Sequence, residues 1–440
     1  MVNLLSVKRK HPYFILILFN MGFLFLSDSK TSGIPFFREL FVLILLSICA
    51  WQIIIKRRWQ GTFYEYWVLL LVGSTILLSP LLAWLSFGQP ISYGMLEERR
   101  ILHYLIFFPL FYGLLKKHLT LKTIEKYIIF AFLACVALGS LYALQILQVR
   151  AGVSFQVEGA IEDLEDLYTG FRAGRFTFGS SFLILVYLLA ILNLRRLPYL
   201  FSKAAIKWML LALVCVAYLW FVVQTRSMMA MLLLMTLVAF RQQLFRVVQL
   251  GYVTLFALVL VIALFPDWAG QQVETFEKLY EEATHDHGPR VRDVTIQVIV
   301  DEIFNNNLVG MGALSLQWQG GFHQVYNRHF YLSDVGLYGI WYRFGLLAIP
   351  LIFFYFRNNL IWAFGRPDDK RPLVVAIRYS IVFALLNPVY SNIMTFGGQT
   401  YGLFFAVLAY LNLVEYPRLG KLSRESRFFN IRWLSGKNSS

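Results

Sequence analysis

Side chains able to do chemistry are concentrated between residues 266 and 345, the one long polar interval in a very apolar chain. Arg290 and Arg292 come first, in GPRVRD, and His329 and Asp334 follow, in RHFYLSD. The planar fork of a guanidinium group suits the binding of phosphate. A histidine or an aspartate can accept the proton of an attacking hydroxyl group. These residue types therefore suit the binding of an anionic group and the acceptance of a proton from a hydroxyl group.

Arg226 is a further candidate, because it lies in QTRSMMAMLLL, where two apolar blocks meet and no acidic residue is near in sequence. A guanidinium group at the membrane boundary is costly unless it has a partner. Either Arg226 snorkels to the interface, or it binds an anionic group that a ligand brings. Arg292 has a comparable alternative, since it could pair with Asp293 or Asp286 in a solvated loop.

Neither a metal site nor a cofactor site is predicted. His285 and His287 flank a single residue, but no further cluster of ligands with metal spacing follows them. His329 and Asp334 are better placed for catalysis, just before an apolar block, although ordinary loop polarity accounts for them equally well. The three cysteines lie inside apolar blocks and are interpreted as small hydrophobic residues: Cys49, Cys135 and Cys215.

The composition is that of a membrane protein. The chain is 58% hydrophobic and 15% charged, against roughly 25% charged residues in a soluble domain. Its mean hydropathy is +0.60. Lipid forces every backbone polar group to pair within a helix or a closed barrel, so the fold class is an all-α polytopic membrane protein. The formal charge of +15 comes from basic clusters between apolar blocks, which indicates topology signals and not a nucleic-acid surface.

Twelve apolar blocks are predicted to span the membrane, which takes about 20 residues each. They lie near 12–28, 36–55, 63–87, 101–115, 123–148, 179–194, 205–224, 227–240, 247–265, 337–356, 373–390 and 400–415. A basic cluster precedes the first block and another follows every even-numbered block. Basic residues favour the cytoplasmic side, so both termini are predicted to be cytoplasmic and the odd-numbered exits to face outward.

This topology divides the chain into four parts. A transmembrane bundle of about nine spans is followed by a large outward-facing loop, by C-terminal transmembrane helices and by a basic cytoplasmic tail on the inner leaflet. The loop is predicted to be folded, with an amphipathic surface helix over 293–305. In order, the four parts are residues 1–265, 266–336, 337–415 and 416–440.

Three short motifs carry a resemblance to a known family. TRSMMAMLLL is similar to a motif with a functional arginine, here Arg226. RDVTIQVIVDEIFNNNLVGMG is similar to an arginine and an amphipathic helix that lead into a glycine-x-glycine turn, here from Arg292, with Arg290 as the neighbouring candidate, to Gly310. DVGLYGIWYRFGLLA is similar to the segment that enters the next span and ends at Gly345. With these motifs and its large late loop, the chain resembles the bacterial O-antigen ligase and O-antigen polymerase superfamily.

The resemblance implies inverting, metal-independent glycan transfer at the outer face of the bacterial inner membrane. The donor would be a polyprenyl-pyrophosphate-linked glycan and the acceptor a second glycan or a lipid. Membrane lipids and a chain-length regulator are further candidate partners, and nucleic acid is not. In this scheme three arginines bind the pyrophosphate, and Arg292 also assists catalysis: Arg226, Arg290 and Arg292.

The residue expected to take up the hydroxyl proton departs from the family pattern. In the ligases the last motif opens with histidine-asparagine about eleven residues before its glycine, and here that count reaches Asp334 within Ser-Asp. His329 lies five residues earlier, so either Asp334 or His329 is the expected base. The departure favours a polymerase of polysaccharide repeat units over a ligase. A lipid-glycan flippase is the alternative from another functional class.

Overall fold

A computed structural model describes most of the chain and shows a helical protein. In the described residues no strand forms, and only Val309 and Gly345 pair as an isolated antiparallel bridge. The described residues are 11–25, 37–56, 58–144, 146–147, 176–199, 202–241, 249, 251–252, 259, 270, 288–315, 317–326, 330, 332, 335–364, 369–386, 394 and 397–415.

The described helices follow one another closely, and a 3₁₀ segment, Glu98–Ile106, joins the fourth to the fifth without a loop. In chain order they are α1 (His11–Asn20), α2 (Phe37–Ile55), α3 (Phe63–Phe87), α4 (Ile91–Glu97), α5 (Phe107–Leu115), α6 (Leu121–Ala143), α7 (Ser180–Arg196), α8 (Lys203–Val223), α9 (Arg226–Phe240), α10 (Gly288–Asn305), α11 (Phe322–Val325), α12 (Gly336–Phe344), α13 (Ala348–Phe364), α14 (Pro372–Leu386) and α15 (Gly398–Tyr410). A π-helical turn, Leu411–Glu415, continues α15.

Among the described helices, four are long and apolar enough to cross a membrane: α2, α3, α6 and α8. Their outward faces carry large apolar side chains, such as Leu43 and Leu213, which are 60% and 61% exposed. Such faces are stable in lipid and costly in water. Helices α9, α13, α14 and α15 are also apolar but shorter. The chain is therefore a helical protein with the features of a membrane-embedded one.

The four long helices coincide with predicted blocks 36–55, 63–87, 123–148 and 205–224. Block 337–356 does not form the single helix that was predicted. Its residues belong to two helices, α12 and α13. The helices are separated at Gly345, which has a φ of +55° and forms the isolated backbone bridge with Val309. Most of block 247–265 lies outside the described residues. In the part of the chain that the structure describes, four helices thus have the length and composition of a membrane span, against twelve predicted blocks.

Helix α3 begins at a capping box, which fixes one end of the longest span. The Thr62 hydroxyl accepts a hydrogen bond from Glu65 N–H, and the Glu65 carboxylate accepts one from Thr62 N–H at 2.7 Å. This reciprocal pair satisfies two backbone donors that the first turn leaves without partners. Tyr112 also donates its hydroxyl proton to Glu65 Oε1 at 2.6 Å, which joins the start of α3 to the end of α5.

Helix α15 packs closely on the 3₁₀ segment and α5 because glycines line the contact. A Cβ atom at Gly402 would lie 2.8 Å from Ile106 Cγ2 and 3.0 Å from the Tyr104 carbonyl oxygen. At Gly398 it would lie 2.9 Å from the Tyr104 ring. The absence of these side chains lets the two backbones approach, as in other tightly packed membrane helices. The 3₁₀ segment is consequently enclosed by the bundle.

The predicted outward loop contains a second apolar core, distinct from that of the bundle. We call its described residues between 288 and 335 the cap. Helix α10 confirms the predicted surface helix and begins five residues earlier than expected. The Tyr326 and Tyr342 hydroxyl groups lie 2.7 Å apart within this core. Its buried members are Ile299, Ile303, Met311, Leu314, Phe322, Phe330, Leu332, Val335 and Tyr342.

Candidate functional site

Gln89, fully buried just after α3, fastens the cap to the bundle. Its side-chain oxygen accepts a hydrogen bond from Ser315 N–H at 2.7 Å, and its amide nitrogen donates to the Ala313 carbonyl oxygen at 3.2 Å. One side chain thus satisfies two backbone groups of a buried loop, which would otherwise be costly to remove from water. The loop 310–315 is held against the end of α3 by these bonds.

Two glycines of the cap allow the same loop to sit directly on backbone atoms. Gly312 has a φ of +73°, and a Cβ atom there would collide with the Ser79 carbonyl oxygen and with Ala83 N. A Cβ atom at Gly310 would lie 2.5 Å from the Arg343 carbonyl oxygen. The glycine-x-glycine turn is therefore required for contact with α3 on one side and α12 on the other.

A buried ion pair lies where the cap, α3, α12 and the 3₁₀ segment meet. Arg343 Nε lies 3.0 Å from Glu98 Oε1, and both side chains are only 2% exposed. The Ser79 hydroxyl donates a hydrogen bond to the same carboxylate oxygen at 2.7 Å. Gly312 N–H donates to the Arg343 carbonyl oxygen, so the cap covers this pair directly. Charges this deeply buried are stable only when they are paired.

Further arginines lie beside this pair, closer to solvent. Arg99 Nε lies 3.0 Å from Glu39 Oε1, and their side chains are 22% and 35% exposed. Arg38 and Arg100 are half-buried. Burial lowers the pKa of Arg99, the nearby Arg38 lowers it further, and Glu39 opposes both effects.

Arg100 belongs to the same group of charges. Burial, followed by the charge of Arg343, lowers the pKa of Arg100 to about 10, so its guanidinium remains charged at neutral pH. We call the four residues Arg38, Arg99, Arg100 and Arg343 the arginine cluster. One backbone-adjacent pair in the 3₁₀ segment, a single residue of α2 and a single residue of α12 thus make up the cluster.

Three glutamates accompany the arginine cluster, and one of them is poorly suited to carry charge. Burial raises the pKa of Glu97, and the neighbouring Glu98 carboxylate raises it further, whereas Arg343 and Arg99 lower it. Glu39 and Glu98 each form an ion pair with one arginine. Among the described residues, four arginines and three glutamates therefore make up this group of charges.

A buried polar network adjoins the cluster at the same end of the bundle. Asn20 donates to the Gln399 carbonyl oxygen at 2.6 Å, and Asn20 Oδ1 lies 3.0 Å from His103 Nδ1. The Ser181 hydroxyl donates to Gln399 Oε1 at 3.0 Å. These bonds join α1, the 3₁₀ segment, α7 and α15. They hold together the helices that lie beside the arginine cluster.

The two ends of the bundle differ in the kind of charge they carry. The cluster lies at the C-terminal end of α3 and the N-terminal ends of α2 and the 3₁₀ segment. At the far ends of α2, α5 and α9 stand basic residues with no such acidic companions in the same turn: Lys56, Lys116 and Arg241. The arginine cluster therefore marks one end, and the other end combines these basic residues with the buried carboxylate of Glu65.

The structure describes the side chain of only one of the five predicted site residues. Arg292 is exposed near the start of α10, roughly 16 Å along the helix from the buried Ile303 at 1.5 Å per residue. Arg290 lies in α10 and Arg226 begins α9, but their side chains lie outside the described part. His329 and Asp334 lie outside the described residues altogether. Their roles remain predictions.

Sequence analysis did not single out the residues that the structure brings together at the cap. One signal for them was present: Arg99 and Arg100 follow the third apolar block, an exit where the positive-inside rule expects few basic residues. Arg343 appeared only as part of a motif, and Gln89 and Ser79 carry no recognisable pattern. In the described residues no group of histidine, cysteine, aspartate and glutamate side chains could hold a metal ion.

No family model, curated protein or solved structure matches the chain. The resemblance to the ligase and polymerase superfamily therefore rests on the three motifs themselves. Two of these motifs contact each other in the structure, since Met311 N–H donates to the Tyr342 carbonyl oxygen at 2.8 Å and Leu346 N–H donates to the Leu308 carbonyl oxygen at 2.9 Å. They form one structural unit above the buried ion pair.

Proposed function

We propose that the chain is a membrane glycosyltransferase that polymerises surface polysaccharide by metal-independent, inverting transfer from a polyprenyl-pyrophosphate-linked oligosaccharide. The arginine cluster beneath the cap is the observation that carries this proposal. It brings four arginines to one end of a membrane-embedded bundle. A lipid that carries a pyrophosphate presents its charge at that depth, and fixed arginines can stabilise it without a metal ion.

The reaction makes one bond and breaks one. A hydroxyl oxygen of the acceptor glycan attacks the anomeric carbon of the donor from the side opposite the pyrophosphate, and the carbon–oxygen bond to the pyrophosphate breaks with its electrons. The hydroxyl proton goes to Asp334 or His329 in this scheme. The chief demand on the protein is to stabilise the charge that develops on the departing pyrophosphate. Arg226, Arg290 and Arg292 are the sequence-based candidates for this task.

The proposed topology follows from the same asymmetry of charge. Twelve spans with both termini in the cytoplasm would put Lys56, Lys116 and Arg241 on the cytoplasmic side, as the positive-inside rule requires. The cap and the arginine cluster would then face the periplasm at the outer surface of the bacterial inner membrane. Lipid-linked repeat units are joined on that side in the proposed scheme.

A ligase that transfers finished glycan to a lipid or protein acceptor would use the same donor chemistry. A lipid-glycan flippase is the second candidate class, and one observation favours it. Glu98 and His103 are buried within a nine-residue 3₁₀ segment that begins at the end of the bundle where the arginine cluster lies. Buried ionisable groups and interrupted helices are typical of transport pathways.

The decisive experiment uses purified protein in vesicles that contain lipid-linked repeat units. A polymerase lengthens the glycan on the lipid and releases free polyprenyl pyrophosphate, whereas a flippase moves the lipid between leaflets and forms no new glycosidic bond. A ligase consumes the lipid-linked glycan only when its final acceptor is added. Arg226→Ala, Arg292→Ala and Asp334→Ala should each reduce chain lengthening at least tenfold, and Arg241→Ala, at the opposite end, should not. Vesicles in which no lipid-linked glycan is lengthened or transferred would rule out the transferase.

A further inference from the structure

The cap carries large apolar side chains on its outer surface as well as in its core. Phe304, near the end of α10, is 61% exposed, and Val309, just beyond that helix, is 48% exposed. Phe304 meets Trp341 in a T-shaped ring contact, with the ring centroids 6.0 Å apart, and its outer side stays uncovered. Apolar groups exposed to this extent are costly in water, and a cluster of them marks a surface that contacts something apolar.

Backbone contacts join this surface of the cap to the start of α13. Val309 forms the isolated bridge with Gly345, and Leu346 N–H donates to the Leu308 carbonyl oxygen at 2.9 Å. Leu346 and Leu347, which follow Gly345 directly, are 54% and 52% exposed. The bridge and the hydrogen bond hold these leucines beside Val309. The exposed apolar surface of the cap therefore meets that of the bundle at this corner.

The exposed apolar surface continues along α13. Ile349 and Phe353 are 62% and 59% exposed, and they follow Leu346 at intervals of three and four residues. This spacing places all three on one side of the chain, as an apolar stripe of roughly 10 Å at 1.5 Å per residue. Arg357 lies on the same side one turn later, where its long side chain can snorkel towards the far surface of the membrane. Lipid hydrocarbon is therefore the medium that suits the stripe, and the surface of the cap extends it.

Aromatic and polar side chains indicate how deeply the cap surface lies. Trp341, which contacts Phe304, and Tyr338, whose ring centroid is 6.5 Å from that of Trp341, are partly buried. Tryptophan and tyrosine are enriched where lipid headgroups meet hydrocarbon. Asp301 and Asn305 are exposed on α10 close to Phe304. Their polarity suits the headgroup region, so Phe304 reaches only the upper part of the acyl chains, about 5–10 Å deep.

We infer that Phe304, Val309, Leu346 and Leu347 form an edge by which the cap inserts into the membrane, with the acyl chains of bilayer lipids as its partner. We call these four residues the lipid edge. The partner is lipid whichever reaction the protein performs, so this role is independent of the proposed function. Helix α10 then rises out of the membrane, because the exposed Arg292 lies roughly 18 Å along the helix from Phe304 at 1.5 Å per residue. The cap is thus seated in the membrane surface and is not an outward loop surrounded by water.

The first test measures depth with a spin label on the full chain in phosphatidylcholine liposomes. In the variants Val309→Cys and Leu346→Cys, the label should collide with oxygen, which concentrates in hydrocarbon, severalfold more often than with a water-soluble nickel complex. Preference for the nickel complex at these positions would place the lipid edge in water and overturn the inference. Low collision rates with both reagents would mean that protein covers the edge, which would also overturn it.

Gln297→Cys is the matched control for this measurement. Gln297 is exposed on the same face of α10 as Phe304 and lies seven residues earlier, roughly 10 Å closer to the start of the helix. Its label should therefore collide more often with the nickel complex than with oxygen. A preference for oxygen at position 297 equal to that at position 309 would mean that the whole helix is immersed and would overturn the lipid edge as a distinct surface. The wild type should take up no label, because its three cysteines are buried.

The second test identifies the partner directly by photochemical cross-linking in the same liposomes. With p-benzoylphenylalanine in place of Phe304, irradiation should attach phosphatidylcholine to the chain, as detected by mass spectrometry. Cross-linked dimers of the chain without lipid adducts would mean that a second copy covers the edge, and they would overturn the inference. Because Phe304 packs on Trp341, each variant is first checked for helix content by circular dichroism. If that variant misfolds, the same replacement at the exposed Leu347 takes its place and should give the same lipid adduct.

Discussion

At the scale of single residues, the Glu98–Arg343 ion pair is a contact whose loss should lower stability strongly, because both side chains are buried. Glu98→Gln leaves a guanidinium group buried without its carboxylate, which typically costs about 3–5 kcal/mol. We therefore expect a large fall in the free energy of unfolding of the purified protein, measured in detergent by denaturant titration.

Glu39→Gln is the matched control, because it breaks an ion pair of the same length at a partly exposed position. Pairs of that kind contribute at most about 1 kcal/mol, so the two variants should differ clearly. The double variant Glu98→Gln with Arg343→Met should recover most of the loss, since no unpaired charge then remains buried. Equal free energies of unfolding for Glu98→Gln and Glu39→Gln would contradict the prediction, because they would show that burial adds no cost to breaking the pair.

Residue types alone predicted an anion site near arginines but not the arginines that the structure brings together. Arg292 could be singled out from the sequence because it precedes an amphipathic segment. That segment forms part of helix α10. Glu98 and Arg343 are distant in sequence, and nothing local in either stretch indicates that they meet. Their pairing depends on α3, α12 and the 3₁₀ segment coming together. Such non-local contacts are beyond the reach of spacing and composition.

At the scale of elements, the contact between the cap loop and α3 depends on a missing side chain. Gly312→Ala places a Cβ atom against Ser79 and Ala83 backbone atoms, which belong to a spanning helix and cannot move aside. The loop 310–315 should therefore leave α3, and its amide hydrogens should exchange with solvent at least tenfold faster, as measured by mass spectrometry. The remainder of α3 should keep its protection.

Gly320→Ala serves as the control for this change. Gly320 has nearly the same positive φ, +75° against +73°, so both variants carry the same backbone strain. A Cβ atom at Gly320 would meet only the Gln324 side chain, at 3.3 Å, which can shift. If both variants exchanged equally fast over residues 310–315, strain and not contact with α3 would account for the effect.

Hydropathy predicted the long uninterrupted helices correctly, but it missed a helix break that is caused by contacts with residues distant in sequence. Helices α2, α3, α6 and α8 agree with their predicted blocks because each is an apolar run of membrane-spanning length. Gly345 lies inside an equally apolar run, YRFGLLAIP, so hydropathy gives no sign of an interruption. The helix breaks there because Val309 and Leu308 of the cap contact the backbone around Gly345. The break is therefore a tertiary feature.

At the scale of the whole molecule, the two kinds of charge predict which end faces which compartment. Position 297 is exposed on α10, and the variant Gln297→Cys should react with a membrane-impermeant maleimide added from the periplasmic side of intact spheroplasts. Position 116 is exposed after α5, and the variant Lys116→Cys should react only after the membrane is opened. The native cysteines need no removal, because Cys49, Cys135 and Cys215 are buried. The reverse pattern of labelling would invert the proposed topology.

The two hydrogen bonds between Gln89 and the cap also have a consequence for how the protein is made. Its two backbone partners, Ala313 and Ser315, are synthesised 224 and 226 residues after it. At roughly 5–20 residues per second, that interval is on the order of 10–45 s. Throughout it, the amide of Gln89 lacks its partners in the cap, and the carboxylate of Glu98 has the Ser79 hydroxyl but not yet Arg343. The contacts of the early helices with the cap can therefore form only after the last third of the chain has been made.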